Sequence, residues 1–146
     1  MQLNDSWRLY PHTYAEHCSG KIWRPYQYLR YISVKLAHII AKGGGRVILN
    51  LPPRHGKSEF ISKWLCSWYL DTFVNRNIIL TCYGDELASG FGRAVRNHLQ
   101  ENQHTRAKVK PDSSAANRFE TTFRNNDNCW YRWSYHWSWR SFITMR

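Results

Sequence analysis

At 146 residues the chain can bury one core and has no room for a multi-step machine, and its 21 Lys and Arg against 10 Asp and Glu, a formal net charge of +11, favour polyanionic partners. No apolar run approaches the roughly 20 residues that span a bilayer. Cys18, Cys66, Cys82 and Cys129 are scattered without a CxxC pair, and Met1–Leu9 lacks a secretory pattern, which argues against a disulfide framework or zinc knuckle and for a reducing cytoplasm.

In chain order, residues 1–24 mix polarity without a period and read as an irregular lead-in; His12, His17 and Cys18 lack a second ligand pair and read as incidental. From Tyr26, apolar Leu29, Ile32, Leu36, Ile39 and Ile40 recur at helical spacing until Gly43-Gly44-Gly45, where a helix stop is expected. Arg46–Leu51 ("RVILNL") is short, β-branched and bounded by glycines and Pro52-Pro53, so it predicts a buried strand. Phe60, Ile61, Trp64, Leu65 and Trp68 predict one face of a second helix. Asn77–Tyr83 ("NIILTCY") predicts a second buried strand, and Asp85 is placed to cap a helix with Leu87, Phe91, Val95 and Leu99 on one face. This order predicts an α/β chain with a βαβ unit and a parallel sheet. Beyond Leu99 the pattern fails: 101–111 is polar and basic, "DSSAAN" is turn-like, and the rest has no period.

The chemistry concentrates in Leu51–Phe60, "LPPRHGKSEF", between the first predicted strand and the helix that follows. Phosphate binding there needs a glycine, Gly56, that lets backbone N–H groups approach oxygen, and a helix that presents its positive end. Lys57 then reaches the β- and γ-phosphates and the Ser58 hydroxyl ligates Mg²⁺. Against the general pattern GxxxxGK[ST], position 51 is leucine rather than glycine, and Pro52-Pro53 stiffen the loop in its place.

"PPRHGKSE" resembles the large terminase subunit of tailed bacteriophages, the ATPase that drives double-stranded DNA into an empty capsid. The flanks extend the resemblance: "PYQYLRYISVKLAHIIAKGGGRVILNL" before the loop, then "TCYGDELASGFGRAVR" and "VKPDSSAANRFETT" after it, about Tyr26 to Thr122 in all. The resemblance implies a P-loop NTPase-like parallel sheet flanked by helices, with ATP and Mg²⁺ as cofactors. It implies Gly56 and Lys57 as phosphate binders, with His55 beside them in the loop. Ser58 would be the metal ligand and Gln27 an adenine contact. Arg54 would be the loop arginine that reaches the γ-phosphate and supplies transition-state charge. The implied partners are double-stranded DNA, a small terminase subunit, a portal protein and further copies in a ring, in the cytoplasm of a bacterial host and with no membrane.

Such an ATPase also needs an aspartate ending an apolar strand to hold Mg²⁺ and a neighbouring glutamate to activate water. None of the ten acidic residues is read in that position; Asp71 ends a helix. The acidic strand and the family's nuclease domain are thus expected to be missing, and the chain to be an incomplete N-terminal fragment: 25–122 part of the ATPase domain, 123–146 an out-of-frame tail. The tail itself carries the reason. Tryptophan has one codon, TGG, and reading one base downstream turns it into GGN, always glycine. Trp130, Trp133, Trp137 and Trp139 then become glycines, and the intervening codons permit G-I-G-G-P-I-T-G-R-G, the family's next segment. A one-base shift near Phe123 accounts for this.

Two other readings compete. A small basic nucleic-acid-binding protein would use the tail aromatics for stacking, and a fragment of another P-loop NTPase would keep the nucleotide site without the packaging role.

Overall fold

The computed structural model describes residues 3–73, 76–115, 118–122, 128–135 and 142–145. The chain divides into two compact units, Met1–Trp68 and Tyr69–Arg146.

The first unit is helical. Leu3–Arg8 is a 3₁₀ turn and Pro11–Cys18 is helix α1, with Pro11 in its first turn, where a missing N–H costs nothing. The lead-in expected to be irregular is therefore ordered. Its helix shows little amphipathic period because it buries only Pro11, Tyr14 and Ala15. Helix α2 runs Gln27–Ala41 and buries Leu29, Ser33, Leu36 and Ala37. It stops where glycines were expected to stop it. Gly43 and Gly44 adopt φ of 98° and 101°, and their N–H groups bond the carbonyls of Ile40 and Ile39, the paired closure that left-handed residues allow. After the loop, Glu59–Leu65 is π-helical and passes into helix α3, Cys66–Thr72. Phe60, Trp64, Leu65 and Trp68 are buried, as their spacing predicts. Phe60 stacks on Trp23 at 5.8 Å, and the Trp68 indole N–H donates to the Arg8 carbonyl at 2.7 Å, tying the 3₁₀ turn down.

Arg46–Leu51 is not a strand. Val47 and Ile48 are 43% and 82% exposed. A strand exists only through the neighbours that satisfy its backbone. Among the described residues, none pairs with this stretch. The strand at Ile78–Cys82, β1, has both edges occupied by other partners. The expected βαβ unit built on Arg46–Leu51 is thus corrected.

The second unit holds β1 (Ile78–Cys82), α4 (Asp85–Glu101), β2 (Lys108–Ala115), β3 (Arg118–Thr122), β4 (Asn128–Tyr135) and β5 (Phe142–Met145). They form one sheet in the order β2-β3-β4-β1-β5. β1 runs parallel to β4, with Leu80 opposite Trp133, and the other three pairings are antiparallel. The architecture is mixed α/β, and the parallel P-loop-type sheet expected from the resemblance is not what these strands form. β2 and β3 make a hairpin where turn-like sequence was expected; Lys110 and Glu120 pair across it at 3.1 Å. The segment expected to be an aperiodic tail supplies β4 and β5. Trp, Tyr and Thr favour strands whatever their origin. Residues 123–127 and 136–141 lie outside the described residues.

α4 packs on β1, β2 and β4. Its buried stripe is Ala88, Gly92, Val95 and Leu99 rather than the expected Leu87, Phe91, Val95 and Leu99; Leu87 is 41% exposed. In the first half of the stripe the small Ala88 and Gly92 take the buried positions, one place along from Leu87 and Phe91. Gly84, not Asp85, occupies the N-cap position, and no side chain caps the helix. Asp71, completely buried at the end of α3, accepts the N–H groups of Arg106 and Ala107 through Oδ1 and so fixes the chain's entry into β2.

Candidate phosphate-binding site

The loop Leu51–Ser58 and the first turn of α2 come together in the first unit. The Tyr28 hydroxyl, on α2, donates to the His55 carbonyl at 2.9 Å. The His55 ring turns back on its own loop: Nδ1–H donates to the Pro53 carbonyl at 2.8 Å, since a carbonyl can only accept. Under the loop, Leu29 Cδ1 lies 3.6 Å from where a Gly56 Cβ would stand. There is room for a methyl group there. What demands glycine is the φ of +71°.

Arg54 also has positive φ, +61°. For a long side chain this conformation costs about 1–2 kcal/mol, so the loop holds one strained residue two positions before its glycine. From Gly56 the chain turns directly into helix. The Gly56 carbonyl accepts the Phe60 N–H at 2.9 Å, the first bond of that helix, so the N–H groups of Lys57, Ser58 and Glu59 precede any intrahelical partner. The side chains of Arg54, Lys57 and Ser58 are all exposed, as is that of His55.

Gln27 is the first residue of α2 and exposed, and it adjoins Tyr28, which holds the loop. All six residues singled out from sequence (Gln27, Arg54, His55, Gly56, Lys57 and Ser58) therefore lie in the loop or in the helical turn bonded to it. Tyr28 itself was missed, as was Tyr26, whose ring stacks on that of Tyr28 at 5.7 Å and 7°. The alternation Tyr26-Gln27-Tyr28 was the available signal.

The donor set suits a polyphosphate and a hard cation. Two cations, a short hydroxyl and helix-start N–H groups offer nothing to a soft metal. Mg²⁺ commonly takes one or two protein oxygens and completes its shell from phosphate and water, so the exposed Ser58 hydroxyl fits that need. Among the described residues no group of three His, Cys, Asp or Glu could hold a metal ion by itself. Asp85 and Glu86, just beyond β1, belong to the first turn of α4.

Compared with known proteins, the chain matches no family model, no curated protein and no solved structure. Among the described residues no helix is long and apolar enough to cross a membrane.

Proposed function

We propose that Leu51–Ser58 is a nucleotide-binding loop and that the chain derives from the N-terminal ATPase portion of a phage terminase large subunit. One observation carries the first half: a left-handed Gly56 opens directly into a helix whose first two residues are exposed Lys57 and Ser58. Left-handed residues let a loop turn successive N–H groups toward one anion, and the helix start adds its dipole.

In this reading the N–H groups of Lys57 to Glu59 bind phosphate oxygens and the Lys57 ammonium spans the β- and γ-phosphates of ATP. Ser58 gives one oxygen to Mg²⁺, which neutralises phosphate charge when bound. The strained turn at Arg54 aims its guanidinium at the γ-phosphate. Gln27 reads the adenine edge, and His55 and Tyr28 keep the loop in shape.

Turnover needs a carboxylate at the end of an apolar strand to order the attacking water. Asp85 and Glu86, just beyond β1, belong to the first turn of α4, and none of the other acidic residues is read at the end of such a strand, so the chain binds nucleotide without hydrolysing it at a useful rate. The P-loop NTPase-like parallel sheet belongs, on this account, to the uninterrupted frame, where Arg46–Leu51 would find strand neighbours. Double-stranded DNA, the small subunit, the portal and the ring are partners of that parent protein.

Two measurements test these claims. Phosphate release should not exceed that of a Lys57→Ala variant; clear excess sinks the claim of inactivity. Sequencing the gene past the codon for Thr122 should show, one base over, an open frame with the glycine-rich segment and then an acidic strand; an early stop there refutes the ancestry.

A further inference from the structure

Between Glu16 and Glu59 the sequence holds eight Lys and Arg and no carboxylate. Helix α2 lies in the middle of that stretch, with one face buried through Leu29, Ser33, Leu36 and Ala37. On the other, Tyr31, Lys35 and His38 are exposed at intervals of four and three, a single helical stripe that Lys42, the C-cap residue, continues. Tyr31 is 66% exposed, and the Lys35 ammonium stands 5.4 Å from its ring centroid. Solubility alone is served by interspersed charges of both signs. Along α2 itself the charges are of one sign, and they flank an exposed aromatic ring.

We infer that this face of α2 binds single-stranded nucleic acid, with Tyr31 stacking on a base while Lys35 and Lys42 neutralise phosphates. Charge complementarity selects a polyanion, and the exposed ring selects among polyanions. A duplex keeps its base faces inside the stack, and an acidic peptide has none, so both would gain only from the cations. A single strand gains from cations and ring together. From Tyr31 to Lys42 the stripe runs about 17 Å at the helical rise, long enough for several nucleotides. None of these residues belongs to the phosphate loop, so the inference does not depend on nucleotide binding there.

Fluorescence anisotropy on the full chain tests this, with labelled oligothymidine of about 12 nucleotides, the range such sites cover, a duplex of the same length, and polyglutamate as competitor. The expected result is tighter binding of the single strand than of the duplex, and weak competition by polyglutamate. Tyr31→Ala should weaken single-strand binding roughly 5-fold to 100-fold and leave duplex binding unchanged, with Tyr31→Phe restoring it. Lys35→Gln should reduce the slope of log affinity against log salt by about 0.7. Circular dichroism confirms that each variant is folded. No binding, duplex or polyglutamate binding as tight as the single strand's, or a folded Tyr31→Ala with unchanged single-strand affinity overturns the inference.

Discussion

Tyr28 and His55 stand 27 positions apart, yet the hydroxyl of one donates to the carbonyl of the other at 2.9 Å, joining helix α2 to the loop that precedes Lys57. The bond makes the loop's shape depend on α2. Replacing Tyr28 by Phe removes only the donor. A hydrogen bond of this kind contributes about 0.5–1.5 kcal/mol, so the Tyr28→Phe variant should bind a fluorescent ATP analogue roughly 2-fold to 10-fold more weakly, with an unchanged circular dichroism spectrum. Equal affinity would mean that the bond does not shape the site.

Arg54 and Gly56 share the left-handed backbone region but differ in what they lose by it. Arg54→Gly relieves strain of about 1–2 kcal/mol while removing the guanidinium. It should leave the melting temperature unchanged or higher and weaken ATP binding. Gly56→Ala adds similar strain and should lower both. A loss of stability in Arg54→Gly would show that the arginine serves the fold.

His12 and Ser33 form a second link, between α1 and α2. The buried Ser33 Oγ accepts the backbone N–H of His12 at 3.0 Å and lies 3.0 Å from Nδ1 of the same residue. Burial chiefly, then the nearby Arg30 cation, hold the His12 pKa below the usual 6.5, while Glu16 pulls the other way. The unfolded chain therefore binds the proton more readily. The His12 contribution to stability is fully present above about pH 6.5 and is lost as the pH falls through the depressed folded value. His12→Asn should narrow the difference in melting temperature between about pH 7.5 and about pH 5.5; an unchanged difference would place the titration elsewhere.

Asp71 tests the second unit. With Oδ1 accepting two backbone N–H groups in a completely buried position, Asp71→Ala leaves both donors without that acceptor. Urea denaturation should show a loss of roughly 2–5 kcal/mol, whereas Asp71→Asn, which keeps an oxygen there, should lose less. Equal losses would assign the effect to the negative charge instead.

How much of this could be read in advance follows from what each signal depends on. The α2 stop at Gly43-Gly44 and the turn at Gly56 are local, set by backbone sterics, and the sequence shows both. Strand β1 was legible within a residue at each end because a short apolar, β-branched run, Ile78–Thr81, leads to Cys82, and its alternate residues Ile78, Leu80 and Cys82 are buried. Arg46–Leu51 has equal strand propensity and fails, because pairing is decided by partners elsewhere in the chain. The α4 stripe was displaced because apolarity alone favours Phe91 over Gly92, while close packing on a sheet favours the reverse. For the site, the loop residues carried their own pattern, whereas Tyr28 acts through a hydroxyl that reaches across to the loop, which no spacing rule marks.

Lys57 is the residue on which nucleotide binding at this loop most depends. Titrating the chain with a fluorescent ATP analogue in the presence of Mg²⁺ should give saturable binding that ATP displaces, and a folded Lys57→Ala variant should lose it by 10-fold or more, as expected for roughly 1.5–3 kcal/mol from a charged hydrogen bond. Binding of the same affinity in Lys57→Ala, or none in the unaltered chain, would contradict a nucleotide site at this loop.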